Sequence, residues 1–167
     1  MKIGLIAMSG VRAHNKELTQ LGLTLPGFVE RNKIIASMPS LGLLTLAGLT
    51  PKKFEVEYYE IADLHEQNDL PDDFDLVAIS TFTAQLKEAY VVADLFERKR
   101  IPVVMGGIPV SSLPVEAKAH CTSVVIGEGE PLWPEVLDDF EHGRLKPLYV
   151  QSPRGQYDLR EAPMPRF

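Results

Sequence analysis

The chain has 167 residues, a formal net charge of −6, one cysteine, 45% apolar residues and 24% charged residues. That length and balance fit one globular domain with a real core. They exclude an internal disulfide framework and a cysteine-ligated metal cluster, show no run long and apolar enough to span a bilayer, and lack the basic patch of a nucleic-acid partner.

In chain order, Lys2–Ala7 reads as a first strand. The stretch 8–38 has no regular period, with breakers at Gly10, Gly22, Pro26 and Gly27. It also carries Leu21, Leu23, Leu25, Phe28, Ile34 and Ile35, too apolar for plain disorder. A partly ordered flap over the sheet end is expected there, or a lid that docks another domain. Leu41–Leu49 reads as a helix, entered at Pro39-Ser40 and ended by Thr50-Pro51. Phe54–Glu60 alternates like a half-exposed edge strand. The acidic stretch 61–74 is too short for a full crossover helix. Asp75–Ser80 is a third strand, and Gln85–Arg100 is a helix with Leu86, Ala89, Tyr90, Ala93 and Phe96 at helical spacing. Val103–Met105 and Ser123–Ile126 are further strands, separated by a short helix at Val115–Ala119. Leu132–Glu141 is the last helix, between Pro131 and Gly143.

Strands alternating with helices predict a parallel sheet with right-handed crossovers. The expected fold is a five-stranded, flavodoxin-like (Rossmann-like) three-layer α/β/α domain over residues 1–143. Its predicted strand order is 2-1-3-4-5, with strand three central and strands two and five at the edges. Residues 144–167, with Pro147, Pro153, Pro163 and Pro165, read as an extended linker towards a further domain. The start lacks the form of a signal peptide, and a lone cysteine suits a reducing cytoplasm.

Three successive buried strands end in small or polar residues: Ser80-Thr81-Phe82-Thr83, Gly106-Gly107, and Gly127-Glu128-Gly129-Glu130. Open α/β sheets hold ligands beyond the carboxyl ends of their strands. The bland alternative is that these residues only make tight turns. There is no P-loop and no GxGxxG. A flavin domain would want phosphate donors after strand one, where Ser9, Gly10 and Arg12 stand, so flavin stays open as a ligand.

In order and spacing, the chain resembles the amino-terminal cobalamin-binding domain of radical S-adenosylmethionine enzymes. The matching pieces begin with Pro39-Ser40-Leu41-Gly42-Leu43-Leu44-Thr45-Leu46-Ala47 and the Ser80 rim. They continue with Gly106-Gly107-Ile108, Ser111, Leu113-Pro114 and Glu116, then Val125-Ile126-Gly127-Glu128-Gly129-Glu130 and Trp133. Asp158-Leu159 and Pro165-Arg166-Phe167 look like that family's connector. The resemblance implies cobalamin held at Ser80, Thr81, Phe82, Thr83, Gly106, Gly107, Ile108, Gly127, Glu128 and Gly129. It also implies a downstream radical core of the same polypeptide, carrying S-adenosylmethionine and an iron–sulfur cluster with four irons. That core would perform methyl transfer or rearrangement on a small-molecule substrate, and this chain alone would be catalytically silent. Within the family, a cofactor-free domain that recognises substrate or docks the core is the alternative.

The residues themselves suit cobalamin. Its nucleotide tail ends in a flat benzimidazole that must slide between sheet and helices, so bulky side chains at the strand ends would block it. Gly106 and Gly107 let the backbone come close, and Gly107 is expected to accept a side chain without harm to the fold. Ser80, Thr81 and Thr83 can hydrogen-bond the tail. Glu128 and Glu130 can accept from hydroxyls or amides but would repel a phosphate.

Many cobalamin modules ligate cobalt from an Asp-x-His-x-x-Gly loop after strand one. Asp63-Leu64-His65 mimics its start but follows strand two and has Asn68 in place of the glycine. His14 lies in the right loop without the motif, and the expectation is that no side chain ligates cobalt, with His14 as the alternative. Pro109 stands where related radical enzymes often carry histidine. His120 and His142 read as surface or helix-end residues and Cys121 as inert.

Overall fold

A computed structural model describes residues 1–8, 39–61, 64, 70–152 and 157–166. Among these, parallel strands β1 (Lys2–Met8), β2 (Glu55–Ile61), β3 (Leu76–Ser80), β4 (Val103–Gly106), β5 (Ser123–Ile126) and β6 (Leu148–Val150) form one sheet. Its order is β2-β1-β3-β4-β5-β6. The register pairs Ala7 with Ser80 and Ser80 with Gly106, so the carboxyl ends of β1, β3 and β4 finish level. The helices are α1 (Leu41–Leu49), α2 (Leu86–Arg98), α3 (Ile108–Ser112), α4 (Pro114–Lys118) and α5 (Trp133–Glu141). No helix among the described residues is long and apolar enough to cross a membrane.

Alternate strand residues point to opposite faces, and both faces are apolar, as a parallel sheet with two helical covers requires. On one face Leu5, Leu76, Ala78, Val104 and Val125 meet Leu43 and Ala47 of α1 and Trp133, Val136 and Leu137 of α5. On the other, Ile6, Val77, Ile79, Val103 and Met105 meet α2 residues such as Ala89, Val92, Ala93 and Phe96, with Val110 of α3 and Ala117 of α4. The five α2 positions expected inward are all buried.

Helix α1 starts where Ser40 accepts the Leu43 N–H, at 3.4 Å. The Ser40 N–H donates to the Tyr58 hydroxyl, 2.7 Å away. Helix α1 is apolar nearly all round, unlike an ordinary surface helix. Its second covered side explains this. The chain near its carboxyl end returns to α1, where the Arg166 N–H donates to the Leu44 carbonyl at 3.0 Å.

The fold class holds, but the strand count is six, not five, and strand five is interior. The signal for β6 is faint because it is three residues long and follows Pro147. Side chains dock it: Tyr149 is buried, and its hydroxyl donates to the buried Asp139 carboxylate at 3.0 Å. Arg144 Nε reaches the same carboxylate at 2.8 Å. The short helix expected at Val115–Ala119 is α4, and a further short helix, α3, precedes it where none was expected; each has proline in its first turn. The expected flap lies outside the described residues except for Met8, which ends β1.

Candidate functional site

A cavity of about 760 Å³ opens at the carboxyl ends of β3, β4 and β5, on the α1–α5 side of the sheet. Its floor is Ala78, Val104 and Val125, the face-directed residues of those strands. One wall is α1, through Gly42, Leu43 and Leu46, with Trp133 at the base of α5. Trp133 is held in place because its indole N–H donates to Thr50 Oγ1 at 2.8 Å, deep in the protein. The rim is built by Ser80, Gly106–Ser112 in part, Gly127–Glu130, Gln151 and Ser152. The interior is therefore apolar, and the polar groups sit at the mouth.

Of the expected residues, the structure brings Ser80, Gly106, Gly107, Ile108, Gly127, Glu128 and Gly129 around this one cavity. Thr81, Phe82 and Thr83 do not line it. Thr81 is buried and its hydroxyl donates to the Phe82 carbonyl, 3.0 Å away. Phe82 is 61% exposed. Thr83 opens a single 3-10 turn before α2. Ser80 follows Ala78 on the cavity face, and its hydroxyl makes no hydrogen bond among the described residues.

The two glycines at the carboxyl end of β4, Gly106 within it and Gly107 just past it, differ. A Cβ on Gly106 would meet only Val125 Cβ at 3.7 Å, ordinary contact, and would enter the cavity. Gly107 has φ +108° and ψ 173°, a backbone region nearly closed to other residues. A Cβ there would also lie 3.4 Å from the Thr81 carbonyl oxygen. The expectation that Gly107 tolerates a side chain is thus corrected, because its backbone needs glycine. Gly127, at φ +97°, would drive a Cβ into the Gln151 side chain at 2.5 Å. Its N–H donates to Ser111 Oγ at 3.0 Å.

Glu128 is engaged with its own chain. Its carboxylate accepts from the Gln151 side-chain amide and, at 2.9 Å, from the Tyr157 N–H. These bonds, Tyr157 first, hold it below the usual carboxylate range. The Glu128 N–H in turn donates to Gln151 Oε1 at 2.8 Å.

His120 stacks on Tyr90, ring centroids 4.3 Å apart, and its Nδ1 lies 3.1 Å from Asp94, on the far face of the domain. His142 bonds the Asp138 carbonyl at the end of α5, at 2.7 Å. Cys121 is buried, and burial pushes its thiol up to about 11. Among the described residues no three His, Cys, Asp or Glu side chains group as metal ligands. His14, Asp63, His65 and Asn68 lie outside the described residues, as do Ser9, Gly10 and Arg12 of the flavin reading.

The α1 wall, the floor residues and the Gln151–Ser152 rim were not foreseen as site residues. Leucines in a helix and valines in a strand look like core, and Ala78 was the one hint of room left in the floor. Gln151 and Ser152 carry no local signal, since β6 itself is faint.

The B12 binding domain family matches residues 31–137, and the chain belongs to that family. Bacteriochlorophyllide d C-8(2)-methyltransferase of Chlorobaculum tepidum is 37% identical over 110 residues, covering 66% of this chain and 24% of that protein. Bacteriochlorophyllide d C-12(1)-methyltransferase of the same organism is 37% identical over 119 residues, covering 70% of this chain and 25% of that protein. The match thus spans about a quarter of the length of either relative. No solved structure matches the chain.

Proposed function

We propose that the cavity at the ends of β3, β4 and β5 holds the nucleotide tail of cobalamin, and that the domain serves a radical S-adenosylmethionine methyltransferase. The observation that carries this reading is the open space over Gly106, floored by Ala78, Val104 and Val125. A flat apolar ring fits between that floor and the α1 wall, and the Ser80 hydroxyl is placed to bond a polar group at the mouth. Gly107 and Gly127 shape the rim through their backbones. When bound, cobalamin supplies a cobalt centre able to take up and pass on a methyl group.

Methyl transfer is the reaction class because both relatives are methyltransferases by name. S-adenosylmethionine and the iron–sulfur cluster belong, in this reading, to a radical core of the same polypeptide, towards which the chain after β6 leads. A small-molecule substrate of that core is the further partner, with no nucleic acid or membrane involved. A reducing cytoplasm suits the buried, unpaired Cys121.

Equilibrium dialysis of hydroxocobalamin against the 167-residue chain tests this. Saturable one-to-one binding is expected, weakened in Ser80→Ala by about 0.5–1.5 kcal/mol, the net value of one neutral hydrogen bond. No binding by the unaltered chain, or binding indifferent to Ser80, contradicts it.

A further inference from the structure

The chain beyond β6 is fastened at two separate places, once at the cavity mouth and once on α1. Gln151 and Ser152 leave β6 and form part of the rim. The Tyr157 N–H is then held by Glu128, whose carboxylate also takes the Gln151 amide. Further on, Pro163 and Met164 lie against Gly48 of α1, the helix that walls the cavity. Backbone contact there is so close that a Cβ on Gly48 would stand 2.7 Å from the Met164 carbonyl. The strap therefore runs from the Gly127–Glu130 loop at the mouth to the back of α1, the side away from the cavity.

We infer that Glu128 is a positioning residue: it clasps the strap to the mouth, and so couples occupancy of the cavity to docking of the chain beyond β6. The inference rests on the cobalamin reading of the cavity. Glu128 acts through Gln151, which forms rim and clasp at once, and through the Tyr157 backbone. Both donors meet the same carboxylate oxygen, so a neutral acceptor of the same shape can keep the pair, whereas a methyl cannot. The coupling must also be reciprocal. If a docked strap favours the ligand, the ligand favours docking. The segment that leads out of the domain would then report whether the cofactor is in place.

The test compares the 167-residue chain with Glu128→Ala, Glu128→Gln and Gln151→Ala, using hydroxocobalamin as the probe. Amide hydrogen exchange at Tyr157 should quicken in Glu128→Ala without ligand, and Glu128→Gln should restore most of the protection. Hydroxocobalamin should slow exchange at Tyr157 in the unaltered chain. Its Kd should rise about three- to tenfold in Glu128→Ala and Gln151→Ala, and much less in Glu128→Gln. Unaltered affinity in Glu128→Ala, or exchange at Tyr157 blind to ligand, overturns the coupling while leaving the cavity reading intact. Failure of the unaltered chain to bind overturns both, and exchange at Tyr157 in Glu128→Ala still shows whether the clasp exists.

Discussion

At the scale of single residues, Gly106 and Gly107 are neighbours with opposite requirements. Gly107 is fixed by its backbone, at φ +108°. Gly107→Ala is expected to cost roughly 1–3 kcal/mol in urea unfolding, whatever it does to a ligand. Gly106 sits at the end of a strand with room above it. Gly106→Val should leave stability equal or raise it by about 0.5–1 kcal/mol, since glycine is a poor strand residue. Sequence shows both as one Gly-Gly signal, because spacing says nothing of φ. Cys121 makes a second residue-scale test. Its folded thiol, near 11 against an ordinary 9.0, keeps its proton while the unfolded chain gives one up. The stability from this group is present below pH 9 and is lost as pH rises towards 11. Iodoacetamide at pH 8 should label Cys121 slowly in the native chain and fast in urea; equal rates would show the thiol to be open.

At the scale of elements, α1 and β6 show what a sequence discloses and what it hides. The bounds of α1 were legible because Ser40 and Pro51 mark them locally. Its role as cavity wall was not, since Leu43 and Leu46 look like any core leucines. Helix α2 was legible through its one apolar stripe. The sixth strand was hidden because what places it is distant: Tyr149 on Asp139, and Asp139 on Arg144. The Ser80, Gly106–Gly107 and Gly127–Gly129 rims were legible because strand ends in an alternating α/β chain converge on one edge. Thr81, Phe82 and Thr83 belong to the same loop, but the chain turns into α2 there and carries them off the cavity. Gly48 tests the covered back of α1. Alanine is the better helix former by about 1 kcal/mol, yet its methyl would meet the Met164 carbonyl at 2.7 Å. Gly48→Ala should therefore keep the helix and release the strap, seen as faster exchange at the Arg166 amide. Unchanged exchange there would mean that the strap does not lie on α1.

At the scale of the molecule, the two faces of the sheet divide the work. The α2–α4 face is filled by side chains from strand to helix, among them Phe74, Phe96 and Met105. The α1–α5 face is filled only as far as the strand ends, and there the small residues Ala78 and Gly106 leave the cavity open. A ligand that binds this folded state alone stabilises it by mass action, by about 2.7 kcal/mol at a hundred times its Kd. The chain's single tryptophan, Trp133, lines that same cavity, so its emission reads occupancy directly. The decisive measurement is a titration of hydroxocobalamin into the unaltered chain and into Gly106→Val, following Trp133 fluorescence and the cobalamin absorbance. Saturable quenching at one equivalent is predicted for the unaltered chain, with none beyond simple light absorption in a folded Gly106→Val. Equal quenching of the two, or no quenching of either, would contradict the placing of cobalamin in this cavity.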